Sequence, residues 1–235
     1  MKLDRFEIKN FRSIKDMTIN IEERNGKKCI ILVGKNEAGK SNILKAISAV
    51  FNGYKVSIKD QRKTASDNDE YYIDAIFKLT EKEISDIKEK FIEEYHIESL
   101  DIFENNLSIA SFIQETFSEM ILTLSIKDNA KPRLIYCTYE ELNDKYKVSN
   151  LFYYSTDNRQ ITKLEGESNS SLLEPLTYDY IERIVFEIIK NIIHIEDIHR
   201  RVIFWEYSDS HLLPPNVNIE NFKNNPDICL SLIHI

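Results

Sequence analysis

One segment limits what this chain can fold into more than any other: a glycine-rich loop between an apolar run and an amphipathic stretch. Residues 29–33 are apolar at every position, which predicts a strand covered on both faces. Residues 34–41 follow with the pattern G-x-x-x-x-G-K-S. The next apolar positions predict a helix from near Ser41 to before Gly53; they are Ile43, Leu44, Ile47, Val50 and Phe51. This order of strand, loop and helix predicts a phosphate-binding loop.

The residue types of this loop suit a nucleotide. Glycines at its two ends let the backbone turn so that successive N–H groups point at phosphate oxygens, and the helix dipole adds attraction. Lys40 is expected to reach the β- and γ-phosphates of ATP, and the Ser41 hydroxyl is the expected Mg²⁺ ligand. Lys35 and Glu37 are interpreted as solvent-facing spacers. The predicted nucleotide-binding residues of the loop are Gly34, Lys35, Asn36, Glu37, Ala38, Gly39, Lys40 and Ser41.

Elements on both sides of the loop give a mixed α/β pattern. Two half-buried antiparallel strands are predicted to open the chain, because apolar residues alternate with polar ones at Phe6, Ile8, Met17, Ile19 and Ile21. A turn at residues 25–26 leads into the buried strand. Residues 73–79 alternate again and predict another strand. Thr80 and Glu83 then form a capping-box pattern that predicts a helix with Ile84, Ile87, Phe91 and Tyr95 facing inward.

Residues beyond about 100 carry weaker signals. A strand pair is predicted at residues 122–126 and 134–139, joined through residues 128–132, and the polar segment 143–171 is interpreted as a surface connection. A strong helical repeat follows and predicts an amphipathic helix through Ile181, Ile184, Val185, Ile188, Ile189 and Ile192. Residues 202–207 predict a short strand.

The predicted fold class is therefore an α/β P-loop NTPase. Its mixed sheet is expected to place antiparallel N-terminal strands beside a parallel core, with an α+β insertion. The predicted division is a P-loop ATPase N-terminal lobe at residues 1–100 and an insertion or variable region at residues 101–171. Residues 172–235 are expected to return a helix and a strand to the lobe.

Charge limits the partners of the chain. The 39 acidic residues outnumber the 31 basic ones and give a net charge of -8, which argues against a surface coated with cations for gripping nucleic acid. Any nucleic-acid contact must therefore be local. The densest basic stretch is interpreted either as a phosphate contact or as a solvated loop face, and it contains Lys55, Lys59, Arg62 and Lys63.

Cysteine, histidine and hydropathy exclude other classes of protein. The three cysteines lie far apart without a C-x-x-C pair, which fits a reducing, cytoplasmic setting. His96, His199 and His211 have no partner at i,i+4, so no histidine-based metal site is expected. The most apolar late stretch, residues 181–195, is interrupted by charged residues, and no N-terminal targeting segment is predicted. A membrane is not an expected partner.

Two segments resemble a known group of ATPases. Residues 3–14 read L-D-R-F-E-I-K-N-F-R-S-I, and residues 33–47 read V-G-K-N-E-A-G-K-S-N-I-L-K-A-I. Together they resemble the start of RecF, SMC-type and OLD-family ATPases, which are ABC-type ATPases of DNA repair and anti-phage defence. The specific marks are Asn10-Phe11-Arg12 and the Asn42 that follows the loop serine.

The resemblance implies further nucleotide contacts. In such ATPases an early basic residue lies near the nucleotide phosphates, so Arg12 is a candidate γ-phosphate contact; the alternative is a surface charge at a strand end. Asn42 joins the predicted nucleotide-binding residues on the same ground. The class also uses a glutamine that senses Mg²⁺, and spacing does not choose among Gln61, Gln114 and Gln160.

The resemblance also implies motifs that this sequence does not offer convincingly: a Walker B strand, a signature motif and a switch histidine. Residues 192–197 come nearest to Walker B, but Ile192 belongs to the helical repeat, and residues 202–206 supply a single acid. The apolar finish at residues 230–235 adds to the expectation of a truncated N-terminal part. Its last residues resemble translated sequencing-adaptor sequence and are expected not to be native. Alone, the chain is expected not to hydrolyse ATP.

Three functions fit these observations. The first is an ATP-binding head lobe that forms a homodimer around ATP and switches a DNA-processing or defence assembly, with DNA or a nuclease as further partners. The second is a stand-alone P-loop kinase or NTPase, against which stand the two strands before the loop strand and the lack of a downstream D-x-x-G or lid-arginine pattern. The third is a non-hydrolysing module in which the nucleotide stabilises a protein interface.

Overall fold

The computed structural model describes residues 1–21, 23–24, 27–28, 32, 39–51, 54–66, 69–97, 102–125, 131–155, 160–164 and 173–193. Several predictions fall outside these residues. They are the loop positions 34–38, the buried strand at 29–33 apart from residue 32, and the segments 194–197 and 202–207.

The two predicted opening strands are confirmed. Strand β1 (Lys2–Phe11) pairs antiparallel with β2 (Ile14–Asn20), and the register places Phe6 opposite Ile19. On β1 the side chains of Phe6 and Ile8 are buried while their neighbours stay half-exposed, as the alternating pattern requires. Two short antiparallel strands, β3 (Glu23–Arg24) and β4 (Lys27–Lys28), flank the predicted turn at residues 25–26.

The elements predicted after the loop are also confirmed, with one correction. Helix α1 (Lys40–Val50) ends before Gly53, strand β5 (Tyr72–Lys78) follows, and α2 (Glu81–Tyr95) begins at the Thr80 capping box. In that box the Thr80 amide donates to Glu83 Oε2 over 2.9 Å. Of the apolar positions that predict α1, Leu44 lies off the buried face: the residue is 39% exposed, because the buried face of α1 runs through Ile43, Ala46, Ala49 and Val50.

The later half of the chain is more regular than its sequence indicates. It contains α3 (Ile109–Thr116), β6 (Met120–Leu124), β7 (Arg133–Tyr136), α4 (Glu140–Lys145), β8 (Phe152–Ser155), β9 (Gln160–Lys163), β10 (Leu173–Pro175) and α5 (Tyr178–Ile192). The predicted strand pair and the predicted amphipathic helix are present as β6, β7 and α5. The interpretation of residues 143–171 as a surface connection is wrong, because all four residues of β8 are buried.

The strands of the described residues form three sheets. The largest has the order β2-β1-β5-β6-β7, the second has the order β10-β8-β9, and the third is the β3-β4 pair. The pairings of β8 with β9 and with β10 are antiparallel, as is that of β1 with β2. The parallel core stays a prediction, and so does the division at residues 100 and 171.

The described residues divide into two compact units. One contains those within Met1–Leu3, Phe77–Ile121 and Leu134–His194, and the other contains those within Asp4–Ile76 and Leu122–Arg133. In the first unit α2 packs on both α3 and α5. Its core is aromatic: the fully buried Phe112 ring lies 5.3 Å from Phe103 and 5.4 Å from both Tyr146 and Tyr178, between ring centroids.

Among the described residues no helix is long and apolar enough to cross a bilayer.

In the second unit, a carboxyl group on β5 is partly desolvated. Burial raises the pKa of Asp74 to about 6; a hydrogen bond with Thr123 opposes this shift and the charge of Glu7 adds to it. The Oδ1 atom of Asp74 has no hydrogen-bond partner in the part of the chain that the structure describes. Because the pKa of an aspartate in an unfolded chain is about 3.9, the folded state holds the proton more tightly. The stability that this protonated form contributes is present below about pH 4 and is lost as the pH rises to about 6.

We therefore expect Asp74→Asn to stabilise the chain in a pH-dependent way. The neutral amide does not titrate, so the gain in free energy of unfolding over the wild type should grow from pH 4 to pH 6 and then level off. Urea unfolding followed by circular dichroism at pH 4, 6 and 8 measures this difference. A difference that stays constant across the three pH values would contradict it.

Candidate functional site

The described end of the glycine-rich segment forms the start of α1. Gly39 occupies the N-cap position with φ 88°, a left-handed conformation that favours glycine, and a Cβ atom there would lie 3.4 Å from Ser13 Oγ. Lys40 is the first helical residue, and Ser41 follows with an exposed side chain. No described side chain caps the helix and no acid lies in its first turn, so its N-terminal amides and dipole favour an anion.

A turn between β1 and β2 brings a guanidinium to this helix end. Asn10 and Arg12 both have left-handed backbones, with φ of 54° and 51°. The turn is fixed by hydrogen bonds to the segment after α1: the Arg12 amide donates to the Asp60 carbonyl over 2.7 Å, and the Arg62 amide donates to the Asn10 carbonyl over 2.8 Å. The Asn10 side chain donates to the Glu70 carbonyl over 2.7 Å. An arginine in this rare conformation needs such support.

The Arg12 side chain donates to three described residues of the same unit. Its Nε donates to Asp60 Oδ1 over 2.8 Å, its Nη2 donates to the Tyr54 hydroxyl over 2.6 Å, and its Nη1 lies 3.4 Å from Asn42 Oδ1. Asn42, in the first turn of α1, in turn donates from Nδ2 to Ser13 Oγ over 2.8 Å. Arg12 is therefore more than a strand-end surface charge, since its side chain is only 30% exposed and is held beside the start of α1.

The partner carboxylate of Arg12 is deeply buried. Asp60 has a side chain only 5% exposed and ends a single 3₁₀ turn, Ile58–Asp60, where its Oδ2 accepts from the Ser57 amide over 2.9 Å. Burial opposes ionisation, but hydrogen bonds from Ser57, Tyr54 and Arg12 lower the pKa of Asp60 below its usual value. Burial likewise opposes the charge of Arg12, and the hydrogen bonds to Asp60 and Tyr54 raise the pKa of the guanidinium. The pair is ionised near neutral pH.

A cavity of about 480 Å³ opens over this arrangement. It is lined by Arg12, Ser13, Asn42, Lys59, Gln61, Arg62, Lys63 and Thr64. Among the described residues, this lining includes four cations and no carboxylate, although the whole chain has a net charge of -8. The volume lies within the range of ligand pockets. A compact anionic ligand suits such a surface.

The structure brings several of the predicted residues together. Arg12, Gly39 and Asn42 meet at the start of α1, with Lys40 and Ser41 beside them in the chain. Gly34, Lys35, Asn36, Glu37 and Ala38 lie outside the described residues. Of the three candidate glutamines, Gln61 lines the cavity and forms an isolated antiparallel β-bridge with Phe11. Gln114 lies in α3 and Gln160 in β9.

The residues of this site that sequence reasoning missed include Ser13, Tyr54 and Asp60. In the basic stretch at residues 55–63 the sequence prediction rests on the cations alone. Asp60 is the single acid in that stretch, and with Ser57 three residues earlier it completes a capping-box pattern that signals an ordered turn. Tyr54 carried no comparable signal.

Comparison with known protein families assigns the chain to one of them. The model of the AAA ATPase domain matches residues 1–229, which is nearly the whole chain. The chain belongs to the AAA ATPase domain family. This membership identifies an ATP-binding ATPase domain of the P-loop NTPase type and agrees with the resemblance to the N-terminal lobe of SMC- and RecF-like ATPases.

Other comparisons add little to the family assignment. A solved structure from a study of the ATP-driven dimerization and DNA-stimulated activation of SMC ATPases is similar over 61% of this AAA ATPase domain and 76% of that chain, with 18% identity and a TM-score of 0.32. At this TM-score the likeness carries no structural argument. No curated protein gives a significant match.

The residues at the start of α1 fit the phosphates of a nucleotide. Helical amides that no described side chain caps, an oriented guanidinium and a cation-lined cavity all favour negative charge. The same region offers no protein cage for a metal: no group of three His, Cys, Asp or Glu side chains capable of holding an ion occurs among the described residues. Mg²⁺ commonly binds through few protein ligands together with the phosphates it accompanies.

Proposed function

We propose that this chain binds Mg-ATP with the triphosphate at the start of α1 and the terminal phosphate against Arg12. The observation that carries the proposal is the guanidinium of Arg12, fixed by Asp60 within 3.4 Å of Asn42 in the first turn of the helix that follows Gly39. Arginine presents paired donors that suit a phosphate group.

The remaining contacts are assigned by residue type. Gly34, Lys35, Asn36, Glu37, Ala38 and Gly39 would supply backbone amides to the phosphates, Lys40 would neutralise the β- and γ-phosphates, and Ser41 would place a hydroxyl on Mg²⁺. Bound Mg²⁺ would supply charge neutralisation for the phosphates. Among the three candidate glutamines, Gln61 is our choice for the residue near the ion, because it lines the cavity with Arg12.

We also propose a wider role. The AAA ATPase domain would form the N-terminal part of a head that pairs with a second copy around ATP and drives a DNA-processing or defence assembly. The sequence resemblance of residues 3–14 and 33–47 supports this role, and the cations Lys59, Arg62 and Lys63 offer a local surface for a polyanion.

Replacement of Arg12 by alanine tests the proposal. Because a lost charge-assisted hydrogen bond costs about 1.5–3 kcal/mol, ATP binding should weaken by about 10–100-fold. ADP binding should weaken by less than about threefold, since ADP lacks the phosphate that Arg12 is assigned to hold. Isothermal titration calorimetry with each nucleotide in the presence of Mg²⁺ measures both constants.

Two variants complete the experiment. Arg133→Ala removes an exposed arginine from β7 and should leave both dissociation constants unchanged. Arg12→Lys keeps the charge but loses the planar fork, so it should recover only part of the ATP affinity. Equal weakening of ATP and ADP by Arg12→Ala, or no weakening of either, would show that Arg12 does not hold the terminal phosphate.

A further inference from the structure

Tyr54, Asp60 and Arg12 form a closed set of hydrogen bonds. The Tyr54 hydroxyl accepts from Arg12 Nη2 over 2.6 Å and donates to Asp60 Oδ1 over 2.9 Å, while Asp60 Oδ1 also accepts from Arg12 Nε over 2.8 Å. The Tyr54 ring lies under the guanidinium, whose carbon is 5.4 Å from the ring centroid. The Nε–Nη2 edge of the guanidinium is therefore occupied.

The donors of Arg12 are divided unequally between its neighbours. Nε and Nη2 have short bonds to oxygen, whereas the contact from Nη1 to Asn42 is 3.4 Å, long for a hydrogen bond. Nη1 is also the nitrogen that contacts Asn42 in the first turn of α1. The donor with the weakest present bond is thus the one placed to meet a ligand at that helix end.

The holding residues are themselves fixed. Asp60 Oδ2 accepts from both the amide and the hydroxyl of Ser57, at 2.9 and 3.2 Å, and the Asp60 carbonyl accepts from the Arg12 amide. Rotation of the Asp60 side chain would break several of these hydrogen bonds at once, and the side chain is only 5% exposed, so water could not readily replace them. Such support is what a precisely oriented binding group requires.

We propose that Asp60 and Tyr54 are positioning residues that aim Arg12 Nη1 at the terminal phosphate, and that they thereby set the preference for a nucleoside triphosphate over a diphosphate. The inference rests on the proposed function, because it takes Arg12 as the phosphate contact. Neither residue touches the nucleotide in this account. Each acts through the guanidinium.

Electrostatics and orientation make opposite predictions for Asp60→Asn. Removal of a carboxylate raises the local positive charge by one, so charge alone would tighten the binding of ATP. Loss of the anchor that orients the guanidinium would weaken it instead. We expect orientation to dominate, with the ratio of the ADP to the ATP dissociation constant falling by about tenfold, the equivalent of one charged hydrogen bond.

Tyr54→Phe tests the same link without a change of charge. It removes the hydroxyl that bridges Arg12 and Asp60 and keeps the ring, so the ratio should fall by about three- to fivefold. In the Arg12→Ala background Tyr54→Phe should have no further effect on the ratio, which a general loss of structure would not reproduce. Tyr153→Phe on β8 is the matched control and should leave the ratio unchanged.

The outcomes separate the inference from the proposed function. One outcome is that Arg12→Ala lowers the ratio of the ADP to the ATP dissociation constant while Asp60→Asn and Tyr54→Phe leave it unchanged. In that case Asp60 and Tyr54 do not position Arg12, and the contact of Arg12 with the phosphate stands. Tighter ATP binding by Asp60→Asn would also overturn the inference. If Asp60→Asn does not fold, as a thermal melt would show, Tyr54→Phe and its double variant with Arg12→Ala still decide the question.

Discussion

Replacement of Lys40 by alanine is expected to weaken the binding of ATP to the 235-residue chain by about a hundredfold, or about 3 kcal/mol. Lys40 is the first residue of α1, beside the N-cap Gly39 and at the end of a glycine-rich loop that matches the phosphate-binding pattern. Its ammonium is assigned to the β- and γ-phosphates, so ADP binding should also weaken strongly. This sets it apart from Arg12→Ala, which spares ADP.

The measurement is a titration with each nucleotide, checked by a thermal melt without ligand. Lys82→Ala, an exposed lysine in the first turn of α2, is the matched control and should bind ATP as the wild type does. An affinity of Lys40→Ala within about threefold of the wild type would remove the support for a phosphate-binding loop at residues 34–41.

Replacement of Phe112 by alanine is expected to lower the free energy of unfolding by about 3–5 kcal/mol. Its ring is fully buried in α3 and contacts Phe103, Phe117, Tyr146 and Tyr178, with centroid distances from 5.3 to 6.4 Å. Alanine would leave a cavity among side chains from several elements of one unit. A loss of this size is a large share of the stability of a typical domain.

Urea unfolding followed by far-ultraviolet circular dichroism measures this loss. Tyr139→Ala removes an aromatic side chain that is 47% exposed and should change the free energy of unfolding by less than about 0.5–1 kcal/mol. If Phe112→Ala cost no more than Tyr139→Ala, the aromatic core would not hold the helices of this unit together.

Local patterns in the sequence predicted the elements that depend on them. The opening strands, α1, β5, α2 and α5 each have an apolar period that matches one element, and α2 also has a capping box whose two hydrogen bonds form. Leu44 belongs to the apolar pattern of α1 and is nevertheless exposed, because a helical stripe tolerates one exposed apolar residue at its border.

Residues 101–171 were harder to predict because their order depends on distant contacts. Helix α3 has only eight residues, too few for a clear period, and its burial comes from rings elsewhere in the chain such as Tyr146 and Tyr178. Strand β8 is buried at every residue although the segment around it is polar. Short elements like these are stabilised by tertiary packing rather than by propensity.

The candidate site also combines residues that a local pattern predicts with residues that only distant contacts bring together. The loop pattern and Asn10-Phe11-Arg12 mark it in sequence, but the partnership of Arg12 with Asp60 joins residues 48 positions apart and leaves no periodic signal. Tyr54 is equally unmarked, since nothing in a lone tyrosine indicates a hydroxyl shared between an arginine and an aspartate. Such pairs emerge only when the segment after α1 is placed against the β1–β2 turn.

The most direct test is a crystal structure of the chain with Mg²⁺ and a non-hydrolysable ATP analogue. We expect a terminal phosphate oxygen within about 3 Å of Arg12 Nη1, with the bond from Arg12 Nε to Asp60 retained and the phosphates at the start of α1. A nucleotide bound away from Arg12 and Gly39, or a guanidinium that leaves Asp60 to reach the phosphate, would contradict this account.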